Sequence, residues 1–505
     1  MNQRSQQTAI LVASLTEPPS ADGDELRALA RRADWLEVRA DLVGDLDPDW
    51  LRERFPGKLL YTLRSKAEWG AFQGGREKRR KRILEQAARY DLIDLEGDRD
   101  LSPELLRELP AGKRLLSWHG AAADERGLSA RLDHLSATPA ALYKLVPRAT
   151  NAGEELAPLE LLAARRRSDV VAFAGGELGF WTRLVAPRLG APVVYGSATE
   201  RAAAPGQPSI DRLLLDYGLP RLAPVKWLFG VVGHPALASL SPRLHNAAYR
   251  ELDLPALFVP FETPEFGDFW LEVVESDALA GLGLQLGGLA VTTPHKEVAF
   301  AVAGAASPLA NRLEAVNTLT PRDGVWEGES TDAEGVVEAL RARGIDPRGR
   351  RAVIVGCGGA GRAAALGLAL AGAETTIANR GPERGLATAR ALRLPFVPLA
   401  ELRPEEFDLY VHATPVGRRI ADELPLPVDR LPAGSAVVDL VYGPGPTRLV
   451  SESARRGLTA VDGREVLLRQ AAPQFRSMTG RSLPLGLGAR VLGLAAGAPS
   501  AAEGS

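Results

Sequence analysis

Short apolar, β-branched runs recur before residue 200, at 8–15, 35–42, 58–64, 92–96, 114–119, 141–147, 169–174 and 192–196. Each has the length of a buried strand. Between them lie segments such as 24–33, 49–55, 76–90, 102–109 and 156–167, with helical spacing of apolar positions and charged opposite faces. Strand and helix alternate eight times, and 210–217 reads as a closing helix. That rhythm predicts a (β/α)8 barrel over 1–220, with a doubly wound open sheet as its rival.

A short stretch with two prolines, 218–225, reads as a linker. Beyond it, the apolar strand Ala352-Val-Ile-Val355 runs into Gly356-x-Gly358-x-x-Gly361 and then into a helical pattern. This is the context of a dinucleotide fingerprint, whose glycines permit a tight turn and let backbone N–H groups approach a pyrophosphate. The next strand ends in Asn379-Arg380, where an acid would bind the ribose hydroxyl of NAD. A cation there suits the 2′-phosphate of NADP.

At 505 residues the chain exceeds a single ordinary core. Lys+Arg 61 against Asp+Glu 63 gives a net charge of -2, which offers no basic excess for nucleic acid and no polybasic block for a membrane. One cysteine, Cys357, fits a reducing compartment, and no run reaches the length of a membrane span. A cytoplasmic protein without a targeting segment is the expectation, as is a disordered Ala/Gly/Pro/Ser-rich tail over 493–505.

If the barrel forms, its strand ends carry Glu37, Arg39 and Asp41, then Arg64 with Glu68 beyond, then Asp94, Glu96, His119 and Lys144. Any one of these is more often a solvated loop residue than a catalyst. Their convergence is the signal, because Lys144 and His119 would end neighbouring strands. A desolvated lysine attacks a ketone to give an imine, and a histidine beside it shuttles the proton of the adjacent carbon.

These residues resemble the type I 3-dehydroquinate dehydratases. The matching segments are Leu36-Glu-Val-Arg-Ala-Asp-Leu42, Thr62-Leu-Arg-Ser-Lys-Ala-Glu68, Ile93-Asp-Leu-Glu96, Ser117-Trp-His119, Lys144 and Ala204-Pro-Gly-Gln207. The resemblance implies that Lys144 forms the imine, that His119 is the acid/base and that Glu68 orients it. It implies substrate contacts for Glu37, Arg39, Arg64, Arg183 and Gln207. The family usually has serine where Ala203 stands.

The remainder resembles the shikimate dehydrogenases through Ser239-Leu-Ser-Pro242, Val291-Thr-Thr-Pro-His-Lys296, Ala315-Val-Asn-Thr318, Ser330-Thr-Asp332, Ala413-Thr-Pro-Val-Gly417, Val438-Asp-Leu-Val-Tyr442 and Gln470-Ala-Ala-Pro-Gln-Phe475. Lys296 and Asp332 would be the catalytic pair. Ser239, Ser241 and Tyr442 would hold a carboxylate, and Thr292, Asn317 and Gln470 would hold ring hydroxyls. Cofactor contacts fall on Gly356, Gly358, Gly359, Ala360, Gly361, Asn379, Arg380, Thr414 and Gly463. Taken alone, Ser239 and Ser241 read as helix caps, and Lys296-Asp332 as a surface ion pair.

The fold class implied is α/β: a TIM barrel over 1–220, then a substrate-binding domain over 226–332 completed by 462–492, around a Rossmann NADP-binding domain over 333–461. The activities implied are dehydration of 3-dehydroquinate and NADP(H)-dependent reduction of 3-dehydroshikimate to shikimate, with no metal. A metabolite sensor, or a quinate-preferring dehydrogenase with a relic barrel, are the rival readings.

Overall fold

The computed structural model describes residues 8–276, 278–417 and 423–494, so the expected tail lies, from residue 495, outside the described residues. The chain forms two compact units. The first comprises the chain to Leu228 with Pro235–Leu237 and Pro255–Leu286, and the second holds Phe229–His234, Ala238–Leu254 and everything from Gly287.

In the first unit, β1 (Ile10–Leu15), β2 (Trp35–Arg39), β3 (Lys58–Thr62), β4 (Leu92–Glu96), β5 (Arg114–Ala121), β6 (Leu142–Arg148), β7 (Val170–Ala172) and β8 (Val193–Ser197) form one sheet. Its order is β7-β6-β5-β4-β3-β2-β1-β8, and the ladders are parallel. Because β1 pairs with both β2 and β8, the order never reverses as it would in an open doubly wound sheet. The eight strands therefore curl into a nearly closed barrel. The ladder opens only between β7, three residues long, and β8.

Strands such as β2 and β4 are buried along their whole length, so their charged residues have no route to water except the mouth. Parallel strands flanked by helices on one face and side chains on the other produce this burial. The crossover segments cap cleanly: Ser102, Asp124 and Ser209 each accept a backbone N–H in the first turn of the helix they begin. Residues 255–286 group with this unit rather than with the segment that follows it in the chain. The turn Leu178–Trp181 supplies a reason, since the Trp181 ring meets Phe261 edge-on at 5.3 Å.

The second unit carries two sheets. In one, Trp227–Gly233, Gln285–Val291, Thr318–Arg322, Val325–Glu329 and Ala305–Ala306 lie side by side in that order. The other is wholly parallel, in the order Phe396–Pro398, Glu374–Asn379, Arg351–Val355, Leu409–His412, Ala436–Asp439, Thr459–Val461. Its first strand in the chain sits third, so the order reverses there, at the switch point where such sheets bind dinucleotides. Buried Val353 and Val355 face one side and Ala352 and Ile354 the other, and each side has its own apolar cluster.

Candidate active sites

Parity decides what enters the barrel. Residues two apart on a strand share a face, so Glu37 with Arg39, Asp94 with Glu96, and Ser117 with His119 each point together. Ser14 pairs in register with Glu37, and Ser117 with Lys144. The result is a cavity of about 150 Å³ at the mouth whose walls include Glu37, Arg64, Glu68, His119, Lys144 and Arg183.

Arg64 is the hub of this charge. Its guanidinium donates to Glu68 (2.9 Å), Asp94 (2.6 Å) and the Ser117 hydroxyl (2.8 Å). Glu37 accepts from Thr62 (2.8 Å) and from Ser14, and Ser14 Oγ accepts from the Gln207 amide at 3.1 Å. Gln207 also accepts the Ala203 N–H at 2.9 Å, which pins the late loop over the mouth. Arg39 lines the cavity too, but its fork is engaged by Asp41 at 2.9 and 2.8 Å.

Arg183 differs from the other cations. It is buried and stacked on Phe173 at 4.2 Å, and its Nε has no hydrogen-bond partner among the described residues. Burial alone pulls its guanidinium down to about 9. A buried cation without a carboxylate is a site waiting for an anion.

Lys144 stands in the middle of β6 with its ammonium 3.7 Å from the centroid of the Tyr195 ring. Burial pulls its amine down to about 8, against the opposing pull of Glu37 and Asp94, so a neutral nucleophile is accessible near neutral pH. Glu68 is pushed up to about 8 by burial and then by the Glu96 and Asp94 carboxylates, while Arg64 opposes the shift. Burial and the cations Arg64 and Lys144 hold the His119 imidazole well below its ordinary value, so it stays neutral.

Geometry assigns its tautomer. Glu68 Oε2 accepts from Arg64 (2.9 Å), from the His119 main-chain N–H (3.2 Å), and faces His119 Nδ1 at 2.9 Å. An oxygen already taking two N–H donors is an acceptor, so Nδ1 brings the third hydrogen and the Nε2 lone pair is left free.

In the second unit, Lys296 opens the helix Lys296–Val302 and Asp332 opens Asp332–Ala342, and their side chains form an ion pair with little exposure. Asn317 Nδ2 donates to Asp332 Oδ1 at 2.9 Å, and Asn317 Oδ1 accepts the Thr331 N–H at 2.9 Å. Gln474 fastens Asn317 in turn, through its main-chain oxygen at 3.1 Å. Gln470, one turn earlier on the helix Gly463–Thr479, packs on Gly335, where a Cβ would fall 2.7 Å from its own Cβ. This sequestered arrangement is not that of a surface ion pair.

Thr292 follows the strand Gln285–Val291, and its N–H is bonded to Val232 at 2.9 Å. Ser239 Oγ accepts the Ser241 N–H at 3.2 Å in the turn before Ser241–Glu251, whose N-cap is Leu240 without a side-chain cap bond, so neither serine caps this helix. Tyr442 lies in the loop after Ala436–Asp439.

Two of the fingerprint glycines, Gly356 and Gly361, are required by space. Gly356 has φ +111°, and a Cβ there would lie 2.8 Å from the Ala413 oxygen and 2.9 Å from Thr414 Cγ2. A Cβ at Gly361 would be 2.2 Å from the Gly356 oxygen. Gly358 faces open space, ahead of the helix Gly359–Leu370, and a Cβ at Gly359 would come 3.2 Å from the Lys296 side chain. Asn379 turns back on the Gly381 oxygen at 2.9 Å, and Arg380 is exposed without an ion pair among the described residues. Gly463 packs on the Val441 oxygen. An open glycine cradle with a spare cation beside it fits a phosphorylated dinucleotide.

Comparison with known proteins matches each half of the chain to a family. The type I 3-dehydroquinase family matches residues 12–219, and the shikimate dehydrogenase substrate binding domain matches 231–319. A bifunctional 3-dehydroquinate dehydratase/shikimate dehydrogenase, chloroplastic, of Arabidopsis thaliana is 30% identical over 486 residues, covering 90% of this chain and 78% of that protein. The chain belongs to the bifunctional 3-dehydroquinate dehydratase/shikimate dehydrogenases. Membership brings two enzyme activities of the shikimate pathway and NADP dependence.

A shikimate dehydrogenase (NADP(+)) of Thermus thermophilus is 42% identical over 252 residues, covering 50% of this chain and 92% of that protein. A solved shikimate 5-dehydrogenase of the same species, in complex with NADP(H) and shikimate, is 37% identical with a TM-score of 0.47, covering 53% of this chain and 98% of that one. An FAD binding domain family also matches 351–409, the strand, glycine turn, helix and strand that nucleotide-binding sheets share. No helix among the described residues is long and apolar enough to cross a membrane.

Several lining residues escaped the sequence reading: Ser14, Thr62 and Tyr195 in the barrel, and Gln474 beside Asn317. A two-residue step back from Arg64 would have found Thr62, and a four-residue step from Gln470 would have found Gln474, whereas Ser14 needs the register of β1 on β2.

Proposed function

We propose that each pair of catalytic candidates works on its own half of a two-step conversion, Lys144 with His119 on dehydration and Lys296 with Asp332 on reduction. The reading of the barrel rests on one observation: a buried amine brought down to about 8, in a cavity that also holds an oriented neutral imidazole. Arg183 takes the carboxylate of 3-dehydroquinate, and Glu37 with Gln207 takes hydroxyls. Lys144 Nζ attacks the ketone and becomes an imine. His119 Nε2 then removes a proton from the adjacent carbon and delivers it to the departing hydroxyl, which leaves as water, and a second water hydrolyses the remaining imine to release 3-dehydroshikimate and restore the Lys144 amine.

In the second unit, NADPH supplies a hydride when bound. The Gly356–Gly361 cradle holds its pyrophosphate, with Thr414 and Gly463 at the edge, and Arg380 pairs the 2′-phosphate. Lys296 donates the proton to the ketone oxygen, and Asp332, fixed by Asn317, holds the ammonium in place and restores its proton. Ser239, Ser241 and Tyr442 orient the carboxylate, and Thr292, Asn317 and Gln470 the ring hydroxyls.

The functional division follows these motifs: 1–220 for dehydration, 226–332 with 462–492 for substrate binding, and 333–461 for the nucleotide. A reducing, cytoplasmic setting is in keeping with the single buried Cys357.

Incubating the protein with 3-dehydroquinate, with and without NADPH, tests the whole. Dehydroshikimate should accumulate without cofactor and shikimate with it. Binding without turnover of either would return the sensor reading, and oxidation of quinate in preference to shikimate would redirect the second half.

A further inference from the structure

The dehydratase cavity is lined by a tyrosine to which the steps above give no work. Tyr195 lies on β8, in register with Val12 of β1, and its side chain lines the cavity while only 3% exposed. The phenol oxygen is buried and has no hydrogen-bond partner among the described residues. Buried hydroxyls are normally bonded, and a lone one in a native site asks for an explanation. The ring also forms the surface on which Lys144 rests, Nζ to centroid 3.7 Å. A substrate carbon bonded to Nζ is therefore held against the ring that carries this hydroxyl.

We propose that the Tyr195 hydroxyl is a further catalytic residue of the dehydratase, passing protons between the Lys144 nitrogen and the ketone oxygen while the imine forms. The proposal rests on the imine reading of the barrel. As Lys144 Nζ bonds to the carbonyl carbon, the C=O electron pair moves to oxygen, which takes the phenol hydrogen. The nitrogen gives one of its hydrogens to the phenol oxygen, so a neutral carbinolamine forms and Tyr195 is restored. In the second half the phenol hydrogen goes to the departing hydroxyl and the remaining N–H replaces it. The C–O bond breaks, water leaves and the imine remains. No free phenolate is needed, which suits a phenol pushed well above its ordinary value by burial and by the Glu37 and Asp94 carboxylates, with Arg64 opposing.

Tyr195→Phe tests this cleanly, because it keeps the ring under Lys144 and removes only the oxygen. Expected are a more than tenfold slower capture of the Lys144 imine by borohydride and a matching fall in kcat for dehydration. KM for 3-dehydroquinate should change less than threefold, and reduction of added dehydroshikimate should stay intact. Unchanged capture and kcat would overturn the role while leaving the imine intact. Failure of borohydride to label Lys144 in the unaltered protein would instead remove the dehydratase reading, and the proposal with it. Should Tyr195→Phe misfold, 3,5-difluorotyrosine at position 195 keeps the shape and lowers the phenol pKa. Imine capture should then decline as pH rises through the fluorinated phenol's titration, and a profile identical to that of the natural side chain overturns the proposal.

Discussion

Glu68 Oε2 lies 2.9 Å from His119 Nδ1, and the same oxygen receives Arg64 and the His119 main-chain N–H. Glu68 thereby fixes which imidazole nitrogen keeps a free lone pair. Glu68→Gln retains the shape but removes the charge that stabilises the imidazolium as it forms. Dehydration kcat should fall about 10²-fold, while borohydride still labels Lys144. A fall below threefold would show that the imidazole is oriented by something else.

The pH dependence follows from the directions of the shifts. Lys144 must lose a proton to attack, and Glu68 must lose one to support the imidazolium, and both titrate at about 8. Dehydration kcat/KM should therefore rise with pH through that region, with a log–log slope approaching two below it. The apparent values belong to the coupled cluster rather than to either group. In Glu68→Gln the slope should drop to one. A flat profile from pH 6 to 9 would mean that neither ionisation controls the step.

Separability is the clearest check on the two halves. Lys144→Ala should abolish dehydration and borohydride labelling yet leave reduction of added dehydroshikimate near normal. Lys296→Ala should do the reverse, lowering reduction about 10²-fold or more with NADPH still bound. Joint loss of both activities in either variant would contradict independent sites.

Arg380→Ala removes the exposed cation beside the nucleotide cradle. A charge-assisted contact to phosphate is worth about 1.5–3 kcal/mol, so KM for NADPH should rise tenfold or more. KM for NADH should hardly move. Equal losses with the two cofactors would place the 2′-phosphate elsewhere.

Gly361→Ala puts a carbon 2.2 Å from the Gly356 oxygen, backbone that cannot step aside without opening the turn. Cofactor binding measured by fluorescence titration should weaken at least tenfold, while dehydration continues unchanged. Undiminished binding would show that the turn tolerates a wider spacing.

The alternation of eight strands and helices and the glycine fingerprint were legible in the chain, because each is a local pattern. Strand length, helical period and the need for glycine at a left-handed turn are set by neighbours a few residues away. Lys296 with Asp332 was legible for a different reason, as motifs in a shared order.

What the tertiary structure decided depends on segments far apart. Residues 68 and 119 meet across 51 positions of sequence, and only their contact assigns the imidazole tautomer. Arg39 is a local exception: it reads as a substrate ligand in the chain, yet its fork is engaged by Asp41 only two residues on. Tyr195 looks like one more core aromatic until the barrel curls β8 round to face β6 and sets its ring against Lys144. Burial does the rest. An amine, an imidazole and a carboxyl with ordinary pKa values in water acquire their working values only when strand curvature and packing exclude the solvent that would hold them there.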